Sequence, residues 1–263
     1  MEESVPKTSH IERDIIIQIE HLDFWYLEGE NIIEDFHISI HDQEFISIVG
    51  VSGCGKSTLL NIVAGLLPPS KGRVLLREKD IKHPGSDRAM VFQDDAVFPW
   101  YTVRQNVEYG LKIKKFTSKE RSNLTDHYLN LVGLKDSQNL FPRQLSGGMR
   151  KRVDVARAVA TNPDVLLMDE PFAALDVLTK ERLQTEFLNI WNNNRITVIF
   201  VTHDLEEAIY LSDRVVVMSF QPGRVKRVVE VPFSRPRDKD LKTTLAFQNI
   251  RRDLGHDLIK IEV

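Results

Sequence analysis

Gly50-Val51-Ser52-Gly53-Cys54-Gly55-Lys56-Ser57-Thr58 satisfies the pattern G-x-x-x-x-G-K-[ST], and its surroundings give the pattern its meaning. Immediately before it, Glu44-Phe45-Ile46-Ser47-Ile48-Val49 is a mostly apolar run, as a strand buried on both faces requires. Immediately after it, Lys56 to Ala64 has helical spacing that stops near Gly65 and the Pro68-Pro69 pair. A strand that turns through glycines into a helix points successive backbone N–H groups inward. It also adds the partial positive charge of a helix N-terminus, an arrangement suited to phosphate oxygens. Lys56 is placed to reach the β- and γ-phosphates of a nucleotide, and the Ser57 hydroxyl to ligate Mg²⁺. Gly50, Ser52, Gly53, Cys54, Gly55 and Thr58 complete the cradle. Cys54 reads as a small filler, because no activating His adjoins it.

Working outward, Ile15 to Ile19 and Ile32 to Ile40 read as strands, while residues 1–13 are polar and expected to fray. Residues 104 to 160 carry helical periodicity, and Val165 to Met168 and Thr197 to Val201 are short apolar strands. Strands alternating with helices predict an α/β layer, with the central helical stretch inserted into it. Residues 231–263 form a C-terminal tail too short to be a domain of its own. Val165-Leu166-Leu167-Met168-Asp169-Glu170 ends in two adjacent carboxylates. Side chains alternate along a strand, so Asp169 and Glu170 point in different directions and suit different tasks. Asp169 is expected to orient Mg²⁺ through water, and Glu170 to position or activate the water that attacks the γ-phosphorus.

With these two halves present, Leu145-Ser146-Gly147-Gly148-Met149 resembles LSGGQ, the signature of the ATP-binding-cassette (ABC) ATPases, placed between the phosphate loop and the Asp169 strand as in that family. The resemblance runs from about residue 15 to 227 with the motifs in the family's order. It implies a RecA-like α/β core, an N-terminal antiparallel β subdomain and an inserted helical subdomain at about 94–160, all within an ATPase domain of 14–230. It further implies that Tyr26 stacks on adenine and that Gln93 joins Mg²⁺ and the attacking water to a membrane subunit. His203 is implied to contact the γ-phosphate, and Asp176 to belong to the loop that crosses between two ATPase subunits. Met149 stands where the family usually has Gln, and Ala173 where it usually has Ser. The phosphate-facing Ser146, Gly147 and Gly148 are retained, so Met149 leaves binding possible, and it shares a helix face with Val153, Ala156 and Ala160. The Arg150-Lys151-Arg152 cluster reads as a solvated helix face.

In this family the signature of one subunit closes over ATP held by the phosphate loop of the other. The resemblance therefore implies a dimer, with a second cassette either identical or closely related. Asp95-Ala96-Val97-Phe98-Pro99-Trp100-Tyr101-Thr102-Val103 is similar to the Leu-Pro-Trp-x-Thr-Val version found in the nitrate/sulfonate/taurine/bicarbonate importer ATPases. That likeness implies transmembrane permease subunits, with Phe98 and Trp100 helping to receive a coupling helix, and indirectly a solute-binding protein. A soluble ABC ATPase of DNA repair or translation would carry long coiled-coil insertions or two cassettes, and neither is present. A non-hydrolysing nucleotide-dependent module is disfavoured by the retention of Glu170, His203 and Gln93.

Composition sets the outer bounds. Of 263 residues, 42% are hydrophobic and 28% charged, values of a globular chain that exclude collagen, coiled coil and disorder. With 35 Lys+Arg against 38 Asp+Glu the net charge is -3, which provides no general field for nucleic acid. The single Cys excludes an intramolecular disulfide and fits a reducing compartment. No run approaches the roughly 18 apolar residues of a membrane span, and Met1-Glu2-Glu3-Ser4 does not open like a signal peptide. The expected location is the cytoplasmic face of the cell membrane, reached through a partner.

Overall fold

A computed structural model describes residues 14–173 and 175–259; the expected frayed segment 1–13 lies outside the described residues. The chain opens with strands β1 (Ile15–Trp25), β2 (Asn31–His41) and β3 (Phe45–Val49), then helix α1 (Lys56–Ala64). Strands β4 (Lys71–Leu76), β5 (Lys79–Asp80) and β6 (Arg88–Val91) follow. Helices α2 (Val103–Ile113), α3 (Ser118–Leu131) and α4 (Gly147–Ala160) come next. The remainder alternates: β7 (Val165–Asp169), α5 (Val177–Asn194), β8 (Thr197–Thr202), α6 (Leu205–Leu211), β9 (Arg214–Met218), β10 (Val225–Glu230) and α7 (Leu245–Ile259).

Two sheets result. One is antiparallel, in the order β2-β1-β4-β5; the other runs β10-β9-β3-β8-β7-β6. In the second, β9, β3, β8, β7 and β6 are parallel to their neighbours, and only β10 is antiparallel, at the edge. The apolar runs read from sequence are its central strands: every residue of β3, β7 and β8 is buried. Both faces are filled, as a parallel sheet demands. Phe45, Val49, Leu166, Met168, Val198 and Phe200 face one core with α4, α5 and α6. Ile46, Ile48, Leu167, Ile199 and Val201 face the other, where α1 packs with Leu59, Leu60 and Val63 beneath the antiparallel sheet. Each such side chain contributes about 1.5–3 kcal/mol on burial.

Helices α2 and α3 start at capping boxes, Thr102 with Gln105 and Thr117 with Glu120, which satisfy the first N–H groups reciprocally. These local signals start both helices at defined points between β6 and β7.

The tail is bolted to the core. Arg235 lies 4.2 Å above the Trp191 ring and 2.9 Å from Asp213. The Arg237 guanidinium donates to the carbonyls of Ile209 (3.0 Å), Tyr210 (2.9 Å) and Ser212 (2.8 Å), closing the C-terminal end of α6. Burial, then the neighbouring Arg235, lowers Arg237 to about 9, so it remains charged at neutral pH. Arg237→Met strands buried carbonyls, each worth about 1–3 kcal/mol. The expected result is a loss of about 3 kcal/mol, seen as a lower urea midpoint at unchanged slope. An unchanged midpoint would show that the tail does not brace α6.

Candidate nucleotide site

Three adjacent strand ends build the site. The register sets Val49 of β3 beside Thr202 of β8, and Asp169 of β7 beside Val201. Gly50, His203 and Glu170, the next residues of each chain segment, therefore emerge side by side at the carboxyl edge of the sheet. Gln93 leaves the next strand, since Val91 of β6 pairs with Met168. Ligands of open α/β sheets bind along this edge.

The phosphate loop is shaped by steric exclusion at its glycines. A Cβ on Gly50 would sit 2.6 Å from the Cys54 sulfur, and Gly55 has φ 100° as the N-cap of α1 with Ile33 and Ile32 pressing behind it. Cys54 is buried, and burial pushes its thiol up, so it is a packing residue that offers the loop its backbone. Lys56 is 6% exposed, and its ammonium donates to the carbonyls of Gly50 (2.9 Å) and Val51 (3.0 Å). Ser52 and Gly53 are exposed, Ser57 lies at the first turn of α1, and Thr58 is half-buried behind it.

Ser57 Oγ donates to Asp169 Oδ1 at 3.0 Å. Burial raises the Asp169 carboxyl, while Ser57, Lys56 and Lys151 pull against that rise. A hydroxyl and one carboxylate are hard oxygen donors, the set Mg²⁺ takes when phosphates and water supply its other ligands. Among the described residues there is no cluster of three acidic, His or Cys groups that could hold a metal by itself. Asp169 and Glu170 have different side-chain partners, Ser57 and His203, and Glu170 lies just past the end of β7. Its backbone is left-handed, φ 41°, a strained geometry worth about 1–3 kcal/mol in a non-glycine residue. The Glu170 N–H donates to the Val201 carbonyl at 2.9 Å, and its Oε2 is 2.9 Å from His203 Nδ1.

One reading of the sequence is corrected. The Arg150-Lys151-Arg152 cluster is not a solvated face: Lys151 is 4% exposed and donates to the carbonyls of Phe92 (2.7 Å) and Gln93 (3.0 Å). Arg150 reaches Asp95 at 2.7 Å, and Arg152 donates to the Val132 carbonyl at 2.9 Å. Farther along α4, Arg157 donates to the Ala96 carbonyl at 2.7 Å and lies 4.9 Å over the Phe98 ring. The helix that begins at the signature thus grips the loop that carries Gln93 along its length. These long side chains find partners about 20 to 61 residues away along the chain, which helical periodicity cannot report.

Ser146 N-caps α4, its hydroxyl accepting from the Met149 N–H, and Ser146 and Gly147 are exposed. Gly148 backs onto α5, where an added Cβ would lie 2.9 Å from Thr179, so the signature and Asp176, the N-cap of α5, form one continuous surface. Among the described residues no hydrogen bond joins Ser146, Gly147 or Gly148 to the phosphate loop. Met149 packs partly buried against the core, as its shared face with Val153 suggests. Tyr26 is 66% exposed beyond β1, edge-on to Phe24, with its outer face open.

A family model described as ABC transporter matches residues 33–173. The nitrate import ATP-binding protein NrtD of Synechococcus elongatus is 47% identical over 211 residues, 79% of this chain and 77% of that protein. The bicarbonate transport ATP-binding protein CmpD of a Synechocystis strain is 46% identical over 213 residues, 80% of this chain and 75% of that one. Among solved structures, a dimeric post-hydrolysis state of the ATP-binding cassette MJ0796 bound to ADP and Pi superposes with a TM-score of 0.72 at 31% identity. It covers 82% of this chain and 99% of that one. The chain belongs to the ABC transporter family, as one of its ATP-binding, ATP-hydrolysing cassettes.

Proposed function

We propose that this cassette is the ATP-hydrolysing subunit of an importer for a small oxyanion or related organic solute, peripheral to the cytoplasmic face of the membrane. It works as a dimer beneath separate permease subunits fed by a solute-binding protein. The carrying observation is that signature and phosphate loop share one chain yet, among the described residues, make no hydrogen bond with each other, which fits each meeting a partner's complementary half. Beside Asp176, Val177 and Leu178 are 71% and 78% exposed, an apolar pair that a second copy would cover.

In this reading Lys56 and the loop amides hold the phosphates, Tyr26 stacks on the base, and the partner's Ser146 hydroxyl and Gly147-Gly148 amides close over the γ-phosphate. Ser57, Asp169 and Gln93 would hold Mg²⁺, which when bound neutralises charge on the phosphate oxygens. Glu170 aligns the attacking water and takes its proton, and His203 holds the Glu170 carboxylate from the neighbouring strand end. Losing the γ-phosphate removes what joins the subunits, so turnover opens the clamp.

Nitrate and bicarbonate, named for the two relatives, are both small planar oxyanions, which favours that solute class. The direct test reconstitutes the chain with its copurifying membrane subunits in vesicles. Nitrate, bicarbonate or an alkyl sulfonate should raise phosphate release, and indifference to all three would overturn the solute class. Docking should use the aromatic platform: Trp100 is 67% exposed and stacked 5.6 Å from Phe98, with Tyr101 edge-on to Trp100 and Tyr109 edge-on to Phe98. Exposed Trp anchors are worth about 2 kcal/mol or more at interfaces. Trp100→Ala should therefore lose copurification of the membrane subunits while its urea midpoint stays put; retention of the complex would move the docking surface elsewhere.

A further inference from the structure

His203 has a single hydrogen-bond partner among the described residues, Glu170, and its side chain is 62% exposed. Its position is therefore set by its two neighbours, Thr202 and Asp204, and both are held by one buried network. The Thr202 hydroxyl donates to Glu207 Oε2 at 2.6 Å, and the Asp204 N–H donates back to Thr202 Oγ1 at 3.0 Å. Asp204 Oδ1 caps α6 by accepting from the N–H groups of Glu206 (2.8 Å) and Glu207 (3.3 Å). Between the two carboxylates sits Lys180, 2.7 Å from Asp204 Oδ2 and 2.7 Å from Glu207 Oε1, the latter only 3% exposed. Gln184, one turn along α5, donates to the same Glu207 oxygen at 3.2 Å.

Lys180 belongs to the other side of the site. It lies in the first turns of α5, and its backbone N–H donates to the Asp176 carbonyl at 2.9 Å. That turn carries the exposed Asp176, Val177 and Leu178 and backs the signature through Thr179. Burial opposes the charge on Lys180, but Asp204 and Glu207 outweigh it and raise the ammonium above its usual range. Without that cation, the buried Glu207 and the partly exposed Asp204 would face each other as two like charges, which favours movement of one of the two anchors flanking His203.

We infer that Lys180 is a positioning residue: it ties the start of α5, where a second copy would seat, to both neighbours of His203, and so sets the His203–Glu170 pair when the dimer closes. This rests on the proposed roles of the dimer, His203 and Glu170.

The test compares Lys180→Met, Lys180→Arg and His203→Ala in the full chain, measuring MgATP affinity by titration and turnover by phosphate release. For Lys180→Met, turnover should fall roughly tenfold or more while affinity stays within about threefold of wild type, since the phosphate loop is untouched. Lys180→Arg, able to bridge both carboxylates, should recover turnover to within about threefold. Should Lys180→Met fold poorly, the charge-neutral pair Lys180→Met/Glu207→Gln separates burial of charge from positioning. That pair should be folded and still slow. Wild-type turnover in Lys180→Met, or in the neutral pair, alongside an inactive His203→Ala overturns the inference and leaves the proposed function standing. Wild-type turnover in His203→Ala instead overturns the underlying reading.

Discussion

Glu170→Gln is expected to bind MgATP as the wild type does, to release phosphate at least about a hundredfold more slowly, and to accumulate as an ATP-bound dimer. The substitution is nearly isosteric. It keeps the left-handed turn after β7, the N–H bond to Val201 and an amide able to bond His203 Nδ1, and it removes only the basic oxygen. Affinity should persist because, in the proposed reading, the phosphates are held by Lys56 and the loop amides, and Glu170 bonds to His203 instead. A general base contributes about 10²–10⁴ in rate, and that is the range lost. With the γ-phosphate uncleaved, the adhesive between signature and loop persists, so gel filtration in MgATP should show a dimer that MgADP does not support. Phosphate release at the wild-type rate would remove Glu170 from the reaction. A monomer at saturating MgATP would remove the shared site.

How far the sequence could foresee this geometry follows from the range of each signal. The phosphate loop and the Asp169-Glu170 pair were legible because each lies at the end of a short, mostly apolar strand, and a parallel strand buried on both faces announces itself by composition, whereas His203 was pointed to by the family resemblance. Helix α1 was legible to the residue, since glycine at both ends fixes its bounds. The order of the strands was not. That β8 lies between β3 and β7, bringing His203 against Glu170, is decided by crossovers and packing that leave no local pattern. The buried Lys151 and the network around Lys180 were equally invisible, because a lysine spent on distant carbonyls or carboxylates has the same sequence context as one in water. β10 escaped for a different reason: it is an edge strand with largely exposed residues, so its Val-Lys-Arg-Val-Val-Glu lacks the alternation that marks a half-buried strand. Arg237 belongs to the same class as Lys151, a tail residue whose role is written in the carbonyls of α6.

Lys56→Ala should act on binding itself, and by a different route. The ammonium is held at the mouth of the loop by the carbonyls of Gly50 and Val51, within a nearly closed shell of backbone. It is therefore positioned before any nucleotide arrives, and little side-chain freedom remains to be lost on binding. Charge-assisted hydrogen bonds contribute about 1.5–3 kcal/mol each, so two to phosphate oxygens correspond to a loss of roughly a hundredfold or more in affinity. The cation also helps hold down the Asp169 carboxyl, which burial raises; its removal weakens the oxygen pair with Ser57 that would take Mg²⁺. Arginine is no substitute, since its planar fork is longer and wider than the ammonium the loop encloses. Titration with labelled ATP measures the loss directly. Combined with Glu170→Gln, the substitution should also abolish the trapped dimer at nucleotide concentrations that saturate Glu170→Gln alone, because an adhesive that does not bind one face cannot join two. An affinity within about threefold of wild type would show that the amides suffice and that Lys56 serves the loop's own carbonyls.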